Sequence, residues 1–159
     1  MRAALAALLL SFCLSVSQAA IYIVRHAEKK DPKQDKSLLS RAGKKRAQTL
    51  KRVLASVDLK AVYCTEYERT QQTAAPVAEE KKLKPAVIDS EDEAGLVKAL
   101  LARPASEDVL VVGHSDTIPG LLKRLGVARP VAIAPGDFDN LFVVTPSSGV
   151  PPAFSWLHY

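Results

Sequence analysis

Four short apolar runs, separated by helical patterns, constrain the fold of this chain more than any other feature of its sequence. The runs are IYIV at 21–24, AVYC at 61–64, AVI at 86–88 and DVLVVGH at 108–114. Apolar runs of this length between polar residues are typical of strands that are buried on both faces. Strands that alternate with helices predict a three-layer α/β/α sandwich with a mainly parallel central sheet.

Helical patterns fill the intervals between these runs. Ser40 is placed to cap a helix over about 41–57, whose apolar residues form one stripe. Thr65 is placed to cap a second helix, which we expect Pro76 to kink or split. The string EDEAGLVKALLAR predicts a third helix, and Ser115 is placed to cap a fourth. The strings VAIA, LFVVT and AFSWLHY then predict further strands, some of them antiparallel, at an edge of the sheet.

The N-terminal segment has the layout of an export signal. Arg2 is followed by an apolar run from Ala3 to Val16, and small residues stand at Ser17 and Ala19. This order is typical of a cleaved secretory signal peptide, and the apolar run is shorter than the roughly 20 residues that span a bilayer. We expect a signal peptide at 1–19, cut after Ala19 or Ala20, and a single domain over 20–159. We therefore predict a periplasmic or secreted protein without stable membrane insertion.

Cysteine usage and charge exclude several classes of protein. The chain has two cysteines, Cys13 and Cys64, and the first would leave with the signal, so no internal disulfide is expected. Cys64 is interpreted as a small residue at a strand end, with a reactive thiol as the alternative. The net charge of +5 arises largely in GKKRAQTLKR and EEKKLK, with few interleaved aromatic residues, so we expect no nucleic-acid partner.

Polar residues follow three of the predicted strands at the point where each strand ends. Arg25 and His26 follow the first, Arg69 lies shortly after the second, and His114 with Ser115 follows the fourth. The carboxyl ends of parallel strands form the ligand crevice of such sheets. Guanidinium groups and free backbone N–H groups are suited to phosphate oxygens. The pattern therefore predicts one cleft that receives a phosphoryl group.

Four strings in this order resemble the histidine phosphatase superfamily, the phosphoglycerate mutase-like group, and in particular its short members without a cap. They are IVRHAEK, LLSRAGKKRAQTL, VYCTEYERTQQTAAPVAE and VLVVGHSDTIPGLL. Each string alone is common, and the ordered set is specific. The resemblance implies that His26 is the nucleophile and becomes phosphohistidine. It also implies that Arg25 and Arg69 bind phosphate oxygens and that His114 stabilises the transferring group, with no metal or other cofactor.

The resemblance leaves the acid that protonates the leaving group open. Larger members supply a glutamate from the segment that reads DSEDEAG here, and we take Glu93 as the candidate, with Glu91 and Asp92 as alternatives. Asp116, two residues after His114, is a rival. Mutase-type members have an asparagine where this chain has Pro32, so hydrolysis is predicted in place of mutase activity.

These observations predict an exported, metal-independent phosphatase that acts on a phosphorylated small molecule or an exposed phosphoryl group. One alternative is a module of the same fold that binds phosphate without turnover. A second is a metallohydrolase that uses His26, His114 and a carboxylate. The sequence does not identify the substrate or the oligomeric state.

Overall fold

The computed structural model describes residues 19–159, so the expected signal peptide lies outside the described residues except for Ala19. The described chain forms six strands and four helices: β1 (Ile21–Arg25), α1 (Arg41–Val53), β2 (Leu59–Thr65), α2 (Glu68–Glu80), β3 (Ala86–Ile88), α3 (Glu93–Leu101), β4 (Asp108–Gly113), α4 (Ile118–Arg124), β5 (Asn140–Thr145) and β6 (Ala153–His158). No helix in this part of the chain combines the length and the apolar character needed to cross a membrane.

All six strands belong to one sheet, in the order β3-β2-β4-β1-β5-β6. The pairings β3–β2, β2–β4 and β4–β1 are parallel, whereas β5 is antiparallel to both β1 and β6. In the β1–β4 register Arg25 lies opposite Gly113, so the residues after both strands emerge at the same edge of the sheet. The predicted parallel sheet with antiparallel C-terminal strands is confirmed.

The alternation of side chains along the buried strands produces the three layers. Ile21 and Ile23 face a core built with α3 and α4, whereas Val24 faces a second core built with α1 and α2. Neighbouring residues of a strand point to opposite faces, so a continuous apolar run can contact helices on both sides. The predicted α/β/α sandwich is therefore confirmed.

Two predictions about helices needed correction. Ser40 caps α1 as expected, since its hydroxyl accepts from the Gly43 N–H at 3.0 Å, but α1 ends at Val53 and does not reach residue 57. Helix α2 continues through Pro76 without a split. Buried residues flank this proline on both sides, including Ala74 and Val77, and their packing outweighs the lost backbone hydrogen bond.

The caps predicted for α2 and α4, and the strand predicted at VAIA, are wrong. Helix α2 begins at Glu68 and α4 at Ile118, too far along the chain for Thr65 and Ser115 to cap them. Residues 131–134 are irregular, although their composition suits a strand. Prolines at 130 and 135 remove backbone N–H donors on both sides of this segment, which disfavours a strand ladder.

Candidate active site

Side chains from three strand ends line one cavity of about 740 Å³ at the carboxyl edge of the parallel sheet. They are the five that the sequence placed around a phosphoryl group: Arg25, His26, Arg69, His114 and Ser115. The rings of His26 and His114 lie 5.4 Å apart between centroids, at an interplanar angle of 60°. The predicted convergence of the two imidazoles and the two guanidinium groups is therefore observed.

Backbone hydrogen bonds hold His26 in place and leave its ring nitrogen Nε2 without a backbone partner. It follows β1 directly, and its N–H donates to the Gly113 carbonyl at 2.9 Å, which fixes the residue against β4. The ring Nδ1 lies 2.8 Å from the Ala27 carbonyl. A carbonyl only accepts hydrogen bonds, so Nδ1 carries the proton and Nε2 keeps its lone pair.

The surroundings of His26 keep its ring neutral. Burial lowers the pKa of His26 to about 3; the hydrogen bond to Ala27 opposes this, and the charges of Arg69 and Arg25 add to it. Desolvation and nearby cations both disfavour an imidazolium. The lone pair on Nε2 is therefore available for nucleophilic attack at neutral pH.

His114 is also buried and neutral, and both of its nitrogens have partners. Nδ1 lies 3.3 Å from Arg69 Nη2, and Nε2 lies 2.9 Å from Thr65 Oγ1. The pKa of His114 is lowered to about 4, mainly by burial and also by the charge of Arg69, while Asp116 opposes the shift.

Arg25 is anchored by the irregular segment before β5. Its Nη1 donates to the carbonyls of Ala134, Pro135 and Asp137 at 3.0, 3.0 and 3.2 Å. Its guanidinium carbon lies 4.1 Å from the centroid of the Phe138 ring, within the range of a cation–π contact. These contacts use one side of the guanidinium, and none of the hydrogen bonds within residues 19–159 engages Nη2.

Arg69 is anchored in a similar way from the other side of the cavity. Its Nη1 donates to the Asp35 carbonyl in the β1–α1 loop, and its guanidinium carbon lies 4.1 Å from the centroid of the Tyr67 ring. Arg69 is 8% exposed and Arg25 is 9% exposed, so both cations are desolvated and rigidly placed. Fixed, partly desolvated cations of this kind bind anions strongly.

The structure separates the four candidate acids. Glu93 lies outside the cavity that holds the histidines and pairs with Arg124 on α4, so it does not join the other predicted site residues. Asp92 caps α3, its carboxylate accepting from the Gly95 N–H at 2.8 Å. Glu91 and Asp116 do line the cavity. The sequence offered no means of choosing among neighbouring acids at the start of a helix, because each is placed to cap it.

Three side chains at the site were missed as functional candidates. Thr65 contacts His114, while Tyr67 and Phe138 cover the two arginines. Thr65 was interpreted as a helix cap, and Phe138 lies in a polar stretch without a strand pattern. The one feature of the sequence that could have indicated a role for Thr65 is its position at the carboxyl end of a buried strand, since such residues face the ligand crevice.

Outside this cavity, the remaining candidates take other roles. Cys64 is buried, and burial raises its pKa to about 11, which disfavours the reactive thiolate. His158 is mostly exposed and lies 3.3 Å from Asp139. Within residues 19–159, no group of three or more His, Cys, Asp or Glu side chains is arranged to hold a metal ion.

Comparisons with known proteins agree with this architecture. The family model of the histidine phosphatase superfamily (branch 1) matches residues 21–96, which include His26 and Arg69, while His114 lies beyond the match. This match confirms the resemblance to the histidine phosphatase superfamily that the ordered motifs predicted. A search of curated proteins found no match.

Solved structures share the fold at low sequence identity. The protein histidine phosphatase SixA, complexed with tungstate, aligns with a TM-score of 0.73 and 19% identity over 87% of this chain and 96% of that chain. An alpha-ribazole phosphatase from Shigella flexneri aligns with a TM-score of 0.66 and 17% identity, over 88% and 96%. A mycobacterial glucosyl-3-phosphoglycerate phosphatase aligns with a TM-score of 0.68 and 11% identity, over 89% and 98%.

Proposed function

We propose that this protein is a metal-independent phosphatase that hydrolyses phosphomonoesters through a phosphohistidine intermediate on His26. The family and the phosphatase neighbours support phosphatase activity. One observation carries the mechanism: a buried, neutral His26 with its Nε2 lone pair free, in a cavity shared with Arg25, Arg69 and His114.

In the first step Nε2 of His26 attacks phosphorus in line with the ester oxygen. The N–P bond forms, the P–O bond to the alcohol breaks, and the alcohol oxygen takes a proton from a carboxyl group of the cavity. Arg25 and Arg69 compensate the charge on the phosphoryl oxygens throughout, and fixed donors of this kind need no reorganisation during the reaction. Catalysis here depends on positioning and charge compensation, as phosphoryl transfer generally does.

In the second step water attacks phosphorus from the side that the alcohol has left. The N–P bond breaks, its electron pair returns to Nε2, and the carboxylate takes the proton of the attacking water. Inorganic phosphate then leaves, and both the histidine and the acid return to their starting states. The cycle is balanced without a metal ion or another cofactor.

We assign the acid to Asp116. It lines the cavity, and its charge acts on the pKa of both Arg25 and His114, so it lies near the phosphoryl position. Glu91 lines the same cavity but is not among the charges that act most strongly on the pKa of either residue. We therefore expect Asp116→Asn to slow turnover by about 10²–10⁴-fold and Glu91→Gln to slow it less.

We also propose export, with residues 1–19 as the signal. N-terminal sequencing of the protein recovered from the cell envelope or medium is expected to begin at Ala20 or Ile21. A chain that retains Met1 and remains in the cytosol would contradict this part of the proposal.

The experiment for activity is hydrolysis of p-nitrophenyl phosphate and a panel of phosphorylated metabolites between pH 4 and 8, with and without EDTA. We expect turnover that survives EDTA and falls by on the order of 10⁴-fold or more in His26→Ala, as for the loss of other catalytic nucleophiles. His158→Ala is the matched control, because that histidine is exposed and outside the cavity. Phosphate binding without turnover of any substrate would favour the binding-module alternative, and loss of activity in EDTA would favour the metallohydrolase.

A further inference from the structure

The hydrogen bonds around His114 have a defined direction. Arg69 Nη2 can only donate, so Nδ1 of His114, at 3.3 Å from it, must accept. A neutral imidazole carries one proton, which is therefore on Nε2. That N–H donates to Thr65 Oγ1 at 2.9 Å.

The chain of donors continues beyond Thr65 and ends on the backbone. Because Thr65 Oγ1 accepts from His114, its own proton is free to donate to Thr70 Oγ1 at 3.0 Å. The Thr70 hydroxyl has two backbone acceptors within reach, the Tyr67 carbonyl at 2.7 Å and the Thr65 carbonyl at 3.1 Å. Thr70 is fully buried, Thr65 is half-buried and His114 is 6% exposed, so water has little access to the His114 ring. Every hydroxyl in the chain donates once, and the direction runs from Arg69 to a backbone carbonyl, that of Tyr67 or of Thr65.

We propose that Thr65 is a positioning residue that acts through His114: its hydroxyl binds the Nε2 proton and so assigns Nδ1, the nitrogen beside Arg69, to the phosphoryl group. This inference rests on the proposed function of the cavity. Without the Thr65 hydroxyl, the Nε2–H group would be buried without a partner, and a buried unpaired donor is costly.

The assignment has a consequence for the bound state. An unprotonated phosphoryl oxygen only accepts hydrogen bonds, so it contacts Nδ1 only when Nδ1 also carries a proton. A phosphomonoester monoanion carries one such proton, since its second pKa is about 6. When it enters, that proton moves from phosphate oxygen to Nδ1, and His114 becomes an imidazolium that donates to the phosphoryl oxygen and to Thr65.

The charges around His114 allow this change once an anion is bound. In the free protein burial keeps the ring neutral, and charged side chains act on it in both directions. Cations disfavour the imidazolium and carboxylates favour it, and the charged or titratable groups concerned are Arg25, Arg69, His26, Glu66 and Asp116. A phosphoryl dianion between the two arginines offsets their charge and attracts the imidazolium, which opposes the effect of burial on the pKa of His114.

The test compares Thr65→Val, which has the same shape without the hydroxyl, with Thr65→Ser, which retains it. In ¹⁵N-histidine NMR spectra assigned with His114→Gln, free wild-type protein should show His114 protonated at Nε2 only. With inorganic phosphate at pH 6, both nitrogens should be protonated in the wild type and in Thr65→Ser. In Thr65→Val the bound ring should titrate at a lower pH.

Kinetics supply the second readout. We expect kcat/KM to fall about 10–100-fold in Thr65→Val, the loss of one hydrogen bond to a charged group. Thr65→Ser should remain within about threefold of wild type, and Thr70→Val, one step further along the chain, should lose less than Thr65→Val. Thr49→Val is the remote control, because Thr49 is half-buried on α1, outside the cavity, and its hydroxyl bonds only within that helix.

Wild-type kinetics in Thr65→Val, or a free His114 protonated at Nδ1, would overturn the inference. If Thr65→Val fails to fold, the kinetics of Thr70→Val and the NMR spectra of the wild type test the inference instead. Wild-type kinetics in Thr70→Val, together with a free His114 protonated at Nδ1, would overturn it. The NMR measurement requires that the protein binds phosphate but does not require that it hydrolyses a substrate. A cavity that shows the predicted protonation and hydrolyses nothing would therefore refute the proposed phosphatase and leave the role of Thr65 in anion binding intact.

Discussion

Three histidines stand at the same edge of the sheet, but only two of them share a cavity. β6 runs in the direction of β1, because the pairings β1–β5 and β5–β6 are both antiparallel. His158 at the end of β6 therefore emerges at the edge where His26 and His114 emerge. Its side chain is 62% exposed, whereas His26 and His114 are 4% and 6% exposed as residues.

Position within the sheet explains the difference. β1 and β4 are interior neighbours, and loops from both sides close over the residues that follow them: the β1–α1 loop binds Arg69, and the segment before β5 binds Arg25. β6 is an edge strand, and the side chain at its end lies 3.3 Å from Asp139 and is largely open to solvent. The direction of a strand determines that its last residue reaches the edge of the sheet that carries the cavity. Burial between neighbouring strands then lowers the pKa of a histidine at that position.

The largest effect that tests the contrast between the cavity and the rest of the surface is expected on kcat/KM, when an arginine of the cavity is replaced. Arg69→Gln should lower kcat/KM by about 10²–10³-fold, because it removes a fixed donor to the phosphoryl group. Arg124→Gln is the matched control, since Arg124 is exposed on α4 and pairs with Glu93 outside the cavity. Equal losses in both variants would show that overall charge, rather than the cavity, attracts the substrate.

The second effect is on stability as a function of pH. The two buried histidines have pKa values of about 3 and 4, below the ordinary value of about 6.5 that they regain on unfolding. Between the folded and unfolded pKa values, the unfolded chain binds more protons than the folded protein. The contribution of the two neutral histidines to the free energy of unfolding is therefore fully present above pH 6.5 and is lost as the pH falls. Each histidine should contribute a slope of up to about 1.4 kcal/mol per pH unit.

Denaturant unfolding at pH 7, 6, 5 and 4 checks this expectation. The free energy of unfolding of His26→Ala should fall less steeply with decreasing pH than that of the wild type. His158→Ala is the matched variant outside the cavity, since the side chain of His158 is 62% exposed. Parallel slopes for the wild type and His26→Ala would mean that His26 is not buried in a neutral state.

The third effect concerns the contact that holds the chain just after His26. A Cβ at Gly43 would lie 2.4 Å from the Glu28 carbonyl oxygen, so the first turn of α1 approaches the β1–α1 loop closely. Gly43→Ala should therefore destabilise the protein by about 1–3 kcal/mol. Gly136→Ala is the control, because nothing lies within 4 Å of its added Cβ. Equal stability of both variants in thermal unfolding would contradict the close approach.

The smallest effect is expected at Glu93. Glu93→Gln should leave turnover within about twofold of wild type, because its carboxylate pairs with Arg124 on the surface and such pairs contribute about 0–1 kcal/mol. A loss comparable with that of Asp116→Asn would return Glu93 to the role that the sequence suggested. Parallel measurement of kcat for both variants decides the matter.

The sequence predicted the layers and the meeting of four side chains because both follow from periodicity and strand direction. Apolar runs reveal buried strands, and parallel strands bring Arg25, His26 and His114 to one edge whatever the loops do. The sequence did not predict the anchoring of Arg25 by the carbonyls of residues 134–137. That segment lacks any periodic pattern, and only its first residue, Ala134, belongs to the string VAIA that was predicted as a strand.

The choice of acid failed for a related physical reason. Glu91, Asp92 and Glu93 are adjacent in the chain, but the start of α3 sends them to different places: a cavity wall, a helix cap and an ion pair. Side-chain direction over a single helical turn depends on where the helix begins. A shift of one residue exchanges these roles, and helix boundaries are what periodicity defines least well.

The most direct test of the central claim is to trap the phosphoryl group. The protein is quenched in alkali within milliseconds of mixing with a ³²P-labelled phosphomonoester, and the labelled peptide is identified by mass spectrometry. The account predicts alkali-stable, acid-labile phosphate on His26, absent from His26→Ala and present in His158→Ala. Turnover with label on another residue, or with no covalent label at any quench time, would contradict it.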